Sequence, residues 1–577
     1  MSVIALETSH QTQPLRQFHS IHWQAFLVAI IALVVLIPRG LSIARAQTLR
    51  TDDGYHLLRG IRFWHRDIPT DWLMNDPPLG EAISAIPILR SKELVPHDRI
   101  TEFDVIEKLS QRGMNRIAVF KSILFVPAVV LVFWWVAGVY NTEAGWLAAA
   151  LLLIDPTFAA HIPLPSIDAL GAETILFAYF FIWRFLANPG WGRGASAGVF
   201  MAIAMLTKHT AVILPAVAVI TAGLWWFVSP IVSRPGIRQW LRHMGWGIVI
   251  GIFAAIVFAV SLWALTLFDL SLPHLPPFWP GQVPAWAMRL TQLPHPLPAG
   301  IYITSLLAAV SHAQQGHAGV LFGQVREHGW WYYGPAIATM KIPLSFFVVF
   351  ILAIGSLFFA RPRWHEWSLL LPAIAWAIFL MSSKLSIGFR HFLPAYVFLL
   401  MLSGRALLVR GAWWRIITWC SVTWAAVNVF NWQPDYLSYA NRDIDQIWLK
   451  MSDSNIDWAQ SDKQVGEWIA AHVPANRPVM LLDFSTKPRP KWAGANVTIG
   501  DRDLDLSKQP TTGLYIVSPN WVTGQYDDQD RLRALRNIRP TDIIAHSMLV
   551  YDLDVAGGGK PFNWYAPTKS LCVPEDP

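Results

Sequence analysis

Cysteine is nearly missing from this chain: 577 residues contain two, Cys420 and Cys572. One lies inside an apolar stretch and the other near the C-terminus, so they give neither a disulfide framework nor a thiolate metal set. Charge is scarce as well. Asp, Glu, Lys and Arg make up 14% of the residues, where a soluble chain carries about 25%. No glycine-rich phosphate loop and no zinc-ligand cluster occurs, which leaves ATP-driven and zinc-hydrolase classes without support. No internal repeat is visible either, and matching halves are what a transporter usually shows.

What is abundant is apolar and aromatic: 54% of residues are hydrophobic, with 31 Trp and 31 Phe. Repeated apolar segments are long enough to cross a hydrocarbon core of roughly 30 Å. The expected fold is therefore a multi-span α-helical membrane protein. Spans are expected at 23–44, 119–139, 144–165, 168–186, 194–206, 211–229, 245–268, 342–360, 366–382, 391–409 and 412–430, about eleven in all. Residues 1–22 are polar and read as a cytoplasmic N-terminal segment. The run that follows lacks a clean small-residue cleavage site and reads as a retained first span. Residues 23–430 form the membrane part, with long polar-aromatic loops at 45–116 and 269–340. Short interfacial helices are expected at Ala82–Leu89 and 298–310.

After Trp432-Gln433-Pro434 the composition becomes that of a soluble domain. Residues 431–577 are expected to form a small α/β domain. Its amphipathic helix covers 452–470, its strand-like runs are Pro478–Phe484, Gly513–Val517 and Ser547–Leu553, and Leu532–Ile538 reads as helical. A flexible tail begins at Gly557.

The net charge of +7 arises from arginines in short links between spans. These are Arg184 and Arg193; Arg234, Arg238 and Arg242; Arg361 and Arg363; Arg405, Arg410 and Arg415. That pattern orients the chain with its N-terminus in the cytoplasm and argues against nucleic-acid binding. The opposite, extracytoplasmic face then receives Asp52, Asp53, Asp76, Glu81, Asp168, Lys208, His209, Lys341, Lys384, Arg390 and His391, together with everything after residue 430. Ionisable residues at span ends usually face protein or water rather than lipid. Each also has a plainer explanation: a solvated loop carboxylate for Asp52, a helix cap for Asp168, headgroup-reaching side chains for the lysines and Arg390.

Carboxylates on one side of a water–lipid boundary and cations on the other suit transfer from a lipid-phosphate donor. A carboxylate accepts the proton of an attacking hydroxyl while cations hold the departing phosphate. Residue chemistry alone leaves a transporter or flippase of a lipid-linked or envelope substrate as the alternative. Asp52, Asp53 and Asp168 could also supply hard oxygen ligands for Mg2+ or Mn2+, although carboxylate number alone does not establish a metal.

The order of motifs resembles the bacterial relatives of the dolichyl-phosphate-mannose protein mannosyltransferases, glycosyltransferase family 39 of the GT-C superfamily. The family's acidic pair in the first outer loop is met by Asp52-Asp53-Gly54-Tyr55-His56, with Asp53 standing where Glu is usual. Its Pro-Pro-Leu element is met by Asn75-Asp76-Pro77-Pro78-Leu79, and its second-loop Asp by Asp168 after Pro156 and His161. Thr207-Lys208, Tyr332-Tyr333, Lys341-Ile342-Pro343 and Arg390-His391-Phe392-Leu393-Pro394 match further elements. A subgroup motif appears as Asp453-Ser454-Asn455-Ile456-Asp457-Trp458-Ala459-Gln460.

The resemblance implies an inverting glycosyltransferase in a bacterial inner membrane. It would take a polyprenyl- or dolichyl-phosphate sugar as donor and a protein, lipid or glycan hydroxyl as acceptor. It assigns Asp52 as base, with Asp53 and Asp168 as further catalytic candidates. Arg390, with Lys208 or Lys341 as alternates, would hold the donor phosphate. His391 joins them or serves as a structural hydrogen-bonder.

Overall fold

A backbone amide or carbonyl without a partner is costly in hydrocarbon, so apolar stretches that cross lipid fold as helices. The computed structural model describes residues 14–66, 76–91, 94, 101–228, 236–275, 283–362, 364–441, 446–484, 492–494, 496–500, 512–527 and 529–554. Most of the expected N-terminal segment and the tail from Gly557 lie outside these residues.

All eleven apolar stretches contain helix. Seven helical segments are long and apolar enough to span alone, among them His22–Ala46, Gln111–Val139 and Ile237–Leu265. An eighth is a bent pair, Tyr333–Lys341 and Leu344–Phe358, which meet at 116°. Pro343 sits at the bend as the N-cap of the second helix, and its missing N–H and fixed φ suit a helix start rather than a helix interior. The remaining three, Thr142–Ile154, Trp191–Thr207 and Ala412–Phe430, are shorter or less apolar.

Burial separates two kinds of helix. Asp168–Ala187 is 83% buried over its most apolar window and lies at the centre of the bundle, whereas Ile237–Leu265 is 11% buried. The second presents Ile248, Val249, Ile252 and Ile256 outward. A soluble protein rarely leaves such a stripe uncovered, whereas lipid covers it at no cost.

The loops are more ordered than their polarity suggests. Residues 45–116 contain the helices Asp53–Trp64, Pro78–Ala85 and Glu102–Lys108. The expected helix at Ala82–Leu89 starts earlier, at Pro78, and does not lie flat on a membrane surface. Glu81, Ala82, Ser84 and Ala85 are buried. A Cβ at Gly80 would come within 2.8 Å of the Thr207 carbonyl, and a Cβ at Gly60 within 2.2 Å of the Glu81 carbonyl. Only glycine lets these backbones approach so closely. The helix expected at 298–310 is present as Gly300–Gln315.

Downstream of residue 430, a five-stranded sheet runs in the order Val497–Ile499, Val479–Leu482, Leu514–Val517, Met548–Asp552, Asp542–Ile544. The first three strands are parallel and the last two antiparallel to their neighbours. Helix Asp462–His472 lays Val465 and Ile469 on the sheet beside Val479, Leu481 and Ile516. It begins ten residues later than the apolar periodicity suggested. Residues 453–455 form a separate 3-10 turn because their polar side chains bond elsewhere. The helix expected at Leu532–Ile538 is a 3-10 turn at Arg533–Asn537.

Candidate active site

The site lies where three chain breaks meet. At the first, Pro156 interrupts the expected 144–165 span, so that Thr142–Ile154 gives way to the short helix Pro156–His161. Asp155 caps that helix, its carboxylate accepting from Phe158 N at 2.8 Å. At the second, helix Trp191–Thr207 stops because Lys208 is extended. At the third, a 3-10 turn over Phe389–Phe392 presents Arg390 before the helix Leu393–Leu402.

Asp168 joins the three. It is the first residue of its helix, yet no side-chain cap bond forms there, so its carboxylate serves the site instead. It accepts from the Ser166 hydroxyl at 2.7 Å and from Arg390 Nη1 at 3.4 Å, and it pairs with Lys208. His161 Nδ1 lies 3.6 Å from the same carboxylate and 3.2 Å from Arg50 Nη1. An imidazole nitrogen that accepts from a guanidinium belongs to a neutral ring.

Asp52 reaches this group from the first long loop. Its Oδ2 lies 4.0 Å from Arg390 Nη1, and 43% of its side chain is accessible. It therefore stands at the edge of the group rather than in the core. Partial burial raises its carboxyl above the ordinary range, against the pull of Arg390 and His56. Its neighbour turns away. Asp53 is fully buried, and its Oδ2 accepts from Arg50 N at 2.9 Å, closing the turn that starts the helix.

The other candidates separate. Lys341 is buried and donates to the carbonyls of Leu437 at 2.7 Å and Asn455 at 2.8 Å, which engages it in joining the membrane part to the C-terminal part. His391 is half-buried beside Arg390, and its Nε2 has no partner among the described residues. Thus Asp52, Asp168, Lys208 and Arg390 come together, while Asp53 and Lys341 bond to backbone nearby.

A second charged cluster sits behind the first. His56 Nδ1 is 2.9 Å from Glu81 Oε1, Arg59 pairs with Glu81, and Asp76 lies 3.9 Å from Arg59. Burial raises the Glu81 carboxyl, with Arg59 and His56 opposing. Burial alone would lower His56, but the Glu81 hydrogen bond and charge outweigh it and raise the imidazole. His56, Asp76 and Glu81 could each offer a cation one ligand atom, all within 4.8 Å of one another. Arg59 pairs with Glu81 Oε1, while Glu81 Oε2 is buried with no partner among the described residues. On Asp168, Lys208 and Arg390 supply the neighbouring positive charge.

Residues 104–263 match the family model described as dolichyl-phosphate-mannose-protein mannosyltransferase. That match covers one stretch of the membrane part, and the fold as a whole is multi-span and helical, with seven candidate spans and an eighth bent one among the described residues. A comparison with curated proteins gives no match. Among solved structures, ArnT from Cupriavidus metallidurans bound to undecaprenyl phosphate gives a TM-score of 0.44 at 13% identity, covering 93% of this chain and 99% of that one. The apo form of the same protein gives 0.30 at 14% identity, covering 92% and 98%. Overlaps this loose place no residue, so the site rests on its own geometry.

Two parts of the site escaped sequence reasoning. Arg50, fully buried, donates to the Ala160 carbonyl and faces His161. A signal existed: an arginine two residues ahead of an acidic pair, just past a span. Trp458 covers Arg390, with Cζ 3.7 Å from the ring centroid, and nothing in the local sequence announces that contact.

Proposed function

We propose that the chain is a membrane glycosyltransferase that moves a sugar from a polyprenyl- or dolichyl-phosphate donor to an acceptor hydroxyl on the extracytoplasmic side, with inversion at the anomeric carbon. The observation that carries this reading is the arrangement around Arg390. Its guanidinium lies between Asp52, which is partly exposed, and Asp168, which is buried and also pairs with Lys208.

Asp52 suits the base. It takes the proton of the acceptor hydroxyl as that oxygen bonds to the anomeric carbon. The bond from that carbon to the phosphate oxygen breaks, and the electron pair leaves with the lipid phosphate. Arg390 and Lys208 supply positive charge where that oxygen becomes more negative, an interaction worth most in a water-poor site. Asp168 holds the two cations apart and aimed, and Ser166 and His161 complete the hydrogen bonding around it. Lipid tails meet the apolar helices directly. ArnT, with its undecaprenyl phosphate, offers a parallel for the donor class only.

The test is mass spectrometry of lipid co-purified with the protein, followed by transfer of a radiolabelled sugar from a synthetic polyprenyl-phosphate sugar. A bound polyprenyl-phosphate sugar and a glycosylated product are expected. Movement of lipid-linked substrate across vesicles with no glycosyl product would overturn the reading in favour of a flippase.

A further inference from the structure

Residues 453–460 bridge the C-terminal part and the site, and their contacts run in two directions. Toward the membrane part, the Ser454 hydroxyl donates to the Ile387 carbonyl at 2.6 Å, and Asn455 Oδ1 accepts from Phe389 N at 2.9 Å. These bonds fix the backbone just ahead of Arg390. The Trp458 carbonyl accepts from Thr51 N at 3.2 Å, next to Asp52. Toward the sheet, the Ser518 hydroxyl donates to Asp457 Oδ2 at 2.5 Å, and Asn520 Nδ2 donates to the Asp457 carbonyl at 2.9 Å. One short segment is thus held by the C-terminal part and in turn holds the backbone beside both Asp52 and Arg390.

The Trp458 ring completes this grip. It is buried, and the Arg390 guanidinium carbon stands 3.7 Å from its centroid. A guanidinium seated on an indole face gains cation–π attraction while its edge N–H groups stay available for bonds in its own plane. Nη1 already uses that edge toward Asp168, and Nε is buried with no partner among the described residues. Without the ring, the long side chain regains rotamer freedom that binding must then remove.

We propose that Trp458 is a positioning residue for the transfer reaction. Its indole face, carried on residues 453–460 and anchored through Ser518 and Asn520, sets the plane in which Arg390 meets the donor phosphate. The C-terminal part therefore governs donor affinity. This rests on the polyprenyl-phosphate donor reading above.

The experiment uses the full-length protein in nanodiscs, with Trp458→Leu, Trp458→Phe and Ser518→Ala. Three quantities are measured: donor KM, kcat, and the Kd for undecaprenyl phosphate alone. Trp458→Leu should raise donor KM and that Kd about tenfold, the scale of a desolvated cation–π contact, with a smaller fall in kcat. Trp458→Phe should recover most of the loss, and Ser518→Ala should give a smaller rise in the same direction. Unchanged KM and Kd in Trp458→Leu, or a fall in kcat alone, overturns the proposal. If Trp458→Leu does not fold, wild-type KM in both other variants overturns it. A wild-type protein that neither binds undecaprenyl phosphate nor transfers sugar refutes the functional reading, and this proposal falls with it.

Discussion

Two charge clusters stand side by side in this protein, built from similar parts. Around Glu81, one guanidinium, one imidazole and two carboxylates close on one another, and the Glu81 side chain is 1% exposed. Around Asp168, two cations share one carboxylate, and a second carboxylate, Asp52, stays 43% open. The same residue chemistry thus closes on itself in one place and stays partly open in the other. What separates the two is a partly exposed carboxylate and a guanidinium with a donor to spare.

The comparison breaks most sharply at Asp52. Asp52→Asn should lower kcat by about a hundred- to ten-thousandfold, the usual range for a lost general base. Folding and undecaprenyl-phosphate binding should survive, and normal transfer by the purified variant would remove Asp52 as base. The closed cluster should respond in the opposite way. Arg59→Met leaves the Glu81 carboxylate buried without its guanidinium and should cost about 3 kcal/mol of stability. That loss is read as a lower thermal midpoint in detergent, and adding Glu81→Gln should restore much of it. Loss of turnover with full stability would instead put Glu81 in the reaction.

Smaller effects sharpen the contrast. Arg390→Lys keeps the charge but loses the planar face that meets Trp458, so donor KM should rise about tenfold. An unchanged KM would mean that charge alone suffices there. Last comes pH. Asp52 must be ionised to act as base, and its carboxyl lies above the ordinary range. Activity should therefore fail as pH drops through a value above the usual ~3.9. Arg390 opposes that rise, so Arg390→Gln should move the acid limb of kcat/KM further upward, on the order of one pH unit.

Much of the architecture was legible because membrane helices announce themselves locally. Apolar length gave the spans, whereas the breaks at Pro156 and Pro343 fall inside stretches that read as continuous. The acidic candidates could be gathered onto one face because the arginine-rich links reveal sidedness. Pairings across the fold left no such trace. Asp52 and Asp53 look equivalent in sequence, and only the turn at Arg50 decides which of them is bent inward. Lys341 was a phosphate-ligand candidate through the resemblance, and nothing in the sequence showed that it also donates to two carbonyls from distant segments. The stretch 452–470 has helical periodicity, yet Ser454, Asn455 and Asp457 find better partners across the fold than a helix could give them. Periodicity records one face of one element, and these contacts lie between elements.

Gly60 carries a consequence for anyone who would re-engineer this enzyme. With the Glu81 carbonyl 2.2 Å from where its Cβ would stand, the helices Asp53–Trp64 and Pro78–Ala85 mesh like gear teeth with no clearance. Neither can slide or rotate independently, so a change made in one is transmitted to the other without slack. Grafting new residues onto the chain near Asp52 would thus require transplanting both helices as a single cassette, with the glycine included.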